Sequence, residues 1–265
     1  MDFYNSLNWR HWLLLVVAVA AALAMAFIEP IPQDLEYHRF ADARPWLGLA
    51  NFGDVASNLP FAVVGLLGLH YLLKPGLLTS SDNTVAASEK AAYLVFFGGV
   101  LLVCFGSGYY HLAPDNQRLV WDRLPMTLAF MGLFSAVVGE RINPVLGKRL
   151  LWPLVLLGLA SVIYWHISEQ QGRGDLRPYA LVQFLPMMLI PLILWLFPGR
   201  YRDVRHYVAL VGCYALSKAC EHWDDAIYQL LGSVSGHSIK HLAAAAGVFL
   251  FLRGLKQRTE CKNFP

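Results

Sequence analysis

Charge is scarce in this sequence. Asp, Glu, Lys and Arg make up 15% of its 265 residues, against roughly 25% in soluble globular domains, and the mean hydropathy is +0.45. That balance points to a membrane protein rather than a soluble one. The net charge of +3 is too small to argue for a nucleic-acid partner. Cysteine is sparse as well. Cys104, Cys213, Cys220 and Cys261 are scattered without metal-ligand spacing, so the chain has neither a disulfide framework nor a thiol site. It also lacks the Gly-x-Ser-Gly of intramembrane serine proteases, because Phe105 stands two residues before Ser107. The connections between apolar runs are short and leave no room for a soluble domain.

What the sequence has in abundance is apolar runs of the ~20 residues needed to cross a hydrocarbon core. Eight are expected, at about 12–28, 55–73, 91–112, 119–139, 150–167, 178–197, 204–223 and 237–255. The chain therefore reads as a single all-α integral membrane domain over 1–265. It comprises an extra N-terminal span (12–28), a seven-helix core (50–255) and a tail (256–265). The alternative for the first run is a cleaved signal peptide, since "ALAMAF" contains an Ala-x-Ala-like site; one basic residue before a long apolar run favours an anchor. With eight spans, thirteen Lys and Arg flank one side (Arg10, Lys74, Lys90, Arg141, Lys148, Arg149, Arg200, Arg202, Arg205, Arg253, Lys256, Arg258, Lys262). Five flank the other (Arg39, Arg44, Arg118, Arg173, Arg177). The positive-inside rule then assigns both termini to the cytoplasm.

Ionisable groups are costly in lipid, so those within the spans need a reason. In "CFGSGYYHLAPDNQRLVWDRLPM" (104–126), Ser107 and His111 close one outward-running span and Asp122 opens the next. In "SGHSIKHLAAAA", His237 and His241 open the last span at the same expected depth. Ser107 and His111 are four residues apart, as are His237 and His241, so each pair shares a helix face. An i, i+4 pair of imidazoles can hold one metal ion with a third ligand, for which His111 is available. Three neutral imidazoles and a water make an open zinc site. Asp122 is then placed as base for that water or as orienter of a histidine, and Ser107 as donor to an oxyanion. "GSG" around Ser107 and the alanine run after His241 allow close helix approach. Taken singly, the two histidines could merely be hydrogen-bonded, Ser107 could be a packing serine, and Asp122–Arg123 an interfacial ion pair.

The set Ser107-xxx-His111, Asp122, and His237-xxx-His241 in the final helix resembles the alkaline ceramidases. These belong to a membrane-hydrolase superfamily that also includes adiponectin-receptor-like proteins. "ASNLPF" (Ser57, Asn58) is similar to the family's Ser-Asn at the start of the first core helix, and Asp225 in "WDDAIY" to its aspartate before the last helix. The resemblance covers about residues 50–255 and is to bacterial phytoceramidase-like members. It implies a seven-helix core in a bacterial inner membrane, zinc held by His111, His237 and His241 toward the outer side, and hydrolysis of the amide of a ceramide-like N-acyl lipid. Ser107 would stabilise the oxyanion and Asp122 would handle the water's proton. The pattern departs from the eukaryotic enzymes at their calcium site. Asn51 stands where they carry a glutamate, and Glu29, Asp34, Glu36 and Asp42 do not reproduce the spacing, so calcium does not carry over.

In "SKACEHWDDAIY", Lys218, Glu221, His222 and Asp225 fall at i, i+3, i+4 and i+7, the spacing of one helix face. That face reads as a buried polar network, with Glu221 or Asp225 as supports of the histidines in the functional reading. Lys240 is expected at the headgroups, and the basic tail at anionic lipid. The rival to an amidase is a receptor or non-enzymatic lipid-binding protein on the same scaffold. Haem or quinone binding would want histidines facing each other mid-membrane, whereas these sit at helix ends.

Overall fold

A computed structural model describes residues 8–74, 85–199, 201 and 203–258. Among the described residues the regular structure is helical. It consists of α1 (Trp9–Phe27), α2 (Phe52–Ala56), α3 (Leu59–Leu72), α4 (Ala87–Leu112), α5 (Asn116–Arg141), α6 (Pro144–Gln170), α7 (Arg177–Leu196), α8 (Arg205–His222), α9 (Asp224–Leu231) and α10 (Gly236–Gln257). A single 3₁₀ turn, Leu35–His38, lies between α1 and α2. Every expected span has a helix, with edges moved by a few residues. Side-chain and Asx caps set several of the starts: Asn8 for α1, Asp115 for α5, Asn143 for α6 and Ser235 for α10.

Six helical stretches are long and apolar enough to cross a membrane among the described residues: α1, α2–α3, α4, α6, α7 and α10. The two expected spans outside that set are α5 and α8. Both are long, at 26 and 18 residues, but they carry Asp122, Arg123 and Glu140, and Lys218 and Glu221. Those charges lie within the bundle rather than on its outer face. Large apolar side chains face outward along the helices, among them Leu66, Leu67, Phe105, Trp152, Leu156 and Trp195. An apolar exterior around a partly polar interior is the distribution that lipid imposes.

Helix α1 contributes no buried residue and packs mainly on α7, with His11 4.9 Å from the ring of Phe197 at the end of α7. Of the basic flanks, Arg200, Arg202 and Lys262 lie outside the described residues. The tail reading needs correction at Arg258: α10 runs to Gln257, and Arg258 is 3% exposed. Its guanidinium pairs with Glu140, which also accepts from the hydroxyls of Tyr93 (2.5 Å) and Tyr207 (2.7 Å). A buried guanidinium paired with a carboxylate that also accepts from two phenols is a helix clamp, not a lipid-facing tail residue.

Glycines set the depth at which α4 meets α5. A Cβ on Gly106 would stand 2.0 Å from the Trp121 carbonyl oxygen, and one on Gly99 would stand 2.6 Å from the Ala129 nitrogen. The close crossing at Gly106 brings Ser107 beside Asp122. Of the "GSG" motif only Gly106 is crowded, since a Cβ on Gly108 would meet nothing within 4 Å. In the alanine run, Ala245 is the buried residue, and closest approach falls just after it, at Gly247 against Cys213. Gly106→Ala should therefore cost about 1–3 kcal/mol of stability through overpacking. A fall in thermal midpoint of the purified protein, with no change for Gly108→Ala, is the expected result.

Candidate metal centre

His111 occupies the last turn of α4, and His237 and His241 the first turns of α10. Their rings meet at centroid separations of 4.8 Å (His111–His237), 5.0 Å (His111–His241) and 5.0 Å (His237–His241). One nitrogen from each lies within 4.8 Å of the others, and all three residues are buried. The Nδ1 of His111 has no hydrogen-bond partner. Three convergent imidazoles, one of them with an unsatisfied buried nitrogen, fit a cation that prefers nitrogen ligands.

The first turn of α10 is shaped for this. Gly236 precedes His237, and a Cβ there would stand 2.4 Å from the Cys220 carbonyl oxygen, so α10 starts pressed against the end of α8. The close approach lets the Asp224 carboxylate accept the His237 backbone N–H at 2.7 Å, one of the orphan donors of a helix start. The other Asp224 oxygen accepts the Ala41 N–H at 3.0 Å. The supporting aspartate is thus Asp224, not Asp225, which is exposed. The helix breaks at Trp223, between α8 and α9, so extending one face across it rotates the register.

Ser57 and Asn58 lie in the turn between α2 and α3. The Ser57 hydroxyl contacts Nδ1 of His241 at 2.8 Å and the Asp54 carbonyl oxygen at 3.0 Å, which leaves Nε2 of His241 to face the cluster. Asp54 is a further support that the sequence does not mark. It accepts from Ser238 (2.8 Å) and Ser235 (3.0 Å) and fastens α2 to the start of α10. Nothing in the sequence distinguishes Asp54 from the neighbouring acids, because its serine partners lie 181 and 184 residues away.

The segment joining α1 to α2 folds over the imidazoles. Phe40 stands 4.7 Å from the His111 ring and 4.5 Å from His237. His38 bridges Tyr110 (2.9 Å) and Asn116 (2.8 Å), and the Asn51 amide donates to the His111 carbonyl oxygen at 2.8 Å. Three acids in this segment, Asp34, Glu36 and Asp42, take local partners. Asp34 caps the 3₁₀ turn, and Glu36 pairs with Arg39. Arg44 hydrogen-bonds Asp42, which lowers the Asp42 pKa from its ordinary value.

A cavity of about 310 Å³ opens beside the cluster. At its polar end are Ser107, Asp122, His241, Lys240 and Glu221, and beyond them Phe96, Phe130, Leu133, Met187 and Val248 give apolar walls. Ser107 and Asp122, both buried, stand together at this end. Lys240, expected at the headgroups, instead points inward. It donates to Glu221 at 2.6 Å and approaches Nε2 of His237 at 3.2 Å. Lys218 also pairs with Glu221, and the Tyr37 hydroxyl donates to Glu221 at 3.1 Å. The expected polar network is therefore present in part, as Lys218–Glu221–Lys240, while His222 and Asp225 face outward.

No family model matches the chain, and no curated protein matches it significantly.

Partners that orient ligating histidines govern metal affinity by about 10–100-fold. Ser57→Ala should weaken metal binding within that range, measured by competition with a chromogenic chelator, while His237→Ala should abolish stoichiometric metal. Asp225→Ala should change neither.

Proposed function

We propose that this protein is a zinc-dependent intramembrane amidohydrolase acting on a ceramide-like N-acyl lipid. One observation carries the reading: a buried group of three histidines lies beside a Ser–Asp pair at the polar end of an apolar cavity. Metal binding alone asks for the imidazoles. A lipid-binding cavity alone asks for the apolar walls. Ser107 and Asp122, buried between the two, add groups that can donate to an oxyanion and move a proton.

When bound, zinc supplies Lewis acidity, polarising a carbonyl and making water a nucleophile near neutral pH. The protein's own groups divide the remaining work. Asp122 takes a proton from the attacking water and returns it to the leaving nitrogen as the amide bond breaks. Ser107 has one O–H to donate, and in the resting site the neighbouring Asp122 carboxylate competes for it. As Asp122 becomes protonated it no longer demands that donor, and the Ser107 hydroxyl turns to the developing oxyanion. The acyl chain lies along Phe96, Phe130 and Leu133, with the amide at the polar end. Lys218, Glu221 and Lys240 hold the ends of α8 and α10 in register beneath the ligands.

In this reading eight helices span a bacterial inner membrane, with α2–α3 to α10 as the core and α1 as an addition. Helices α5 and α8 cross despite their charges because these face the interior. Both termini are cytoplasmic, by the distribution of Lys and Arg, and the metal faces the outer side. The pattern of Ser107, His111, Asp122, His237 and His241 supports membership of the ceramidase-like hydrolases.

The test is metal content of the purified protein together with release of fatty acid from ceramide and other N-acyl lipids. Wild type should contain one zinc and cleave. Ser107→Ala and Asp122→Asn should each retain zinc and lose at least ~100-fold in turnover. Chelation should abolish activity, and zinc should restore it. A wild-type protein without zinc ends the mechanism; zinc without cleavage of any lipid tried makes the protein a receptor or lipid binder.

A further inference from the structure

Arg123 is the charged group of the cavity wall that the proposed chemistry leaves unused. It follows Asp122 on α5, is 6% exposed and lines the same cavity. Its Nη2 donates to Oε1 of Gln33 at 2.6 Å. Its guanidinium lies between two aromatic rings, 4.1 Å from the centroid of Trp165 and 4.7 Å from that of Tyr179. Its Nη1 is buried and makes no hydrogen bond. Glu221 is taken by Lys218 and Lys240, and Asp122, next to Arg123 in sequence, makes no ion pair with it within 4.0 Å among the described residues. The wall thus carries three cations, Arg123, Lys218 and Lys240, against two anions, Asp122 and Glu221.

A buried guanidinium without a carboxylate is costly, and one neutral hydrogen bond with two ring faces offsets only part of that cost. The rings also fix the plane of the fork, so the unsatisfied Nη1 has a defined direction. A planar, oriented guanidinium with a free donor is suited to a carboxylate or phosphate oxygen. A metal ion on the imidazoles makes the polar end more positive still.

We propose that the lipid taken by this cavity carries an anionic group on its head, close to the amide, and that this group sits on Arg123. The substrate class is accordingly an acidic N-acyl lipid, its charge a carboxylate or a phosphate, rather than a neutral ceramide. The assignment of the amide to the metal centre rests on the function proposed above; the contact between the anion and Arg123 does not.

The experiment measures binding rather than turnover, on the full-length protein in detergent, both zinc-loaded and chelator-treated. Two pairs of probes differ only in charge: N-palmitoylglycine against its methyl ester, and ceramide 1-phosphate against ceramide. Wild type should bind the anionic member of at least one pair at least about tenfold more tightly, and the pair that responds identifies carboxylate or phosphate. Arg123→Gln should bind both members of that pair alike, and Arg123→Lys should keep part of the preference. Equal binding within both pairs by wild type, or no binding of any probe, overturns the proposal, as does a preference that survives in Arg123→Gln. If Arg123→Gln fails to fold, the wild-type comparison and Arg123→Lys still decide. A charge preference without hydrolysis leaves this inference standing while the amidase reading fails, and hydrolysis of neutral lipids without preference does the reverse.

Discussion

Three imidazoles packed within 5.0 Å of one another inside an apolar bundle constrain everything around them. They carry no carboxylate among them, so they can be neighbours only as neutral rings or as ligands to a cation. Either state requires each ring to be turned to present a particular nitrogen. Ser57 does this for His241, and Asp224 fixes the backbone from which His237 springs. Asn51 holds the carbonyl of His111, and Phe40 closes over two of the rings. Helix ends are natural places for such a centre, because their unpaired N–H and C=O groups can be given to these supports rather than to water.

The same constraint shapes the surrounding charges. Lys240 sits one residue from His241 and beside His237, where an unpaired ammonium would repel any cation on the imidazoles. Glu221 takes up that charge, shared with Lys218 and braced by Tyr37. The result is a polar shelf under the histidines, with apolar walls beyond it. Arg123 stands on the shelf without an acid of its own, its ring partners holding it in place.

The sequence reveals those parts of this arrangement that are local. Residues four apart on one helix share a face whatever the tertiary structure, so Ser107 with His111 and His237 with His241 can be read directly. Hydropathy marks α1, α2–α3, α4, α6, α7 and α10 for the same reason. The supports are not legible, because they depend on where the chain turns. Asp224 and Asp225 are indistinguishable until the break at Trp223 selects one. Lys240 is a basic residue near a span end, and only the presence of Glu221, 19 residues earlier on α8, draws it inward. Arg258 misleads in the same way: a C-terminal arginine reads as a flank until Glu140, 118 residues before it, is known to be its partner.

That distant partnership bears on the metal centre. The helices that supply the polar end, α4, α5, α8 and α10, are also those that meet at Arg258. Tyr93 and His111 lie 18 residues apart on α4, as do Asp122 and Glu140 on α5. Tyr207 and Glu221 lie 14 apart on α8, and His241 and Arg258 lie 17 apart across α10 and its cap. At 1.5 Å per residue these spacings are about 21–27 Å, near the ~30 Å of a hydrocarbon core. Each helix is therefore fastened at both ends of a length close to that of a bilayer core. The far fastening is strong, since a buried carboxylate there accepts from two phenols and a guanidinium. Lipid offers no hydrophobic force to hold helices together, so axial register must come from such polar contacts and from glycine crossings such as Gly106. A slip of one residue along α10 would carry His237 and His241 about 1.5 Å past His111, a large displacement for a metal site. The Glu140–Arg258 clamp thus helps to set the geometry of the three histidines, although it lies at the opposite end of the bundle.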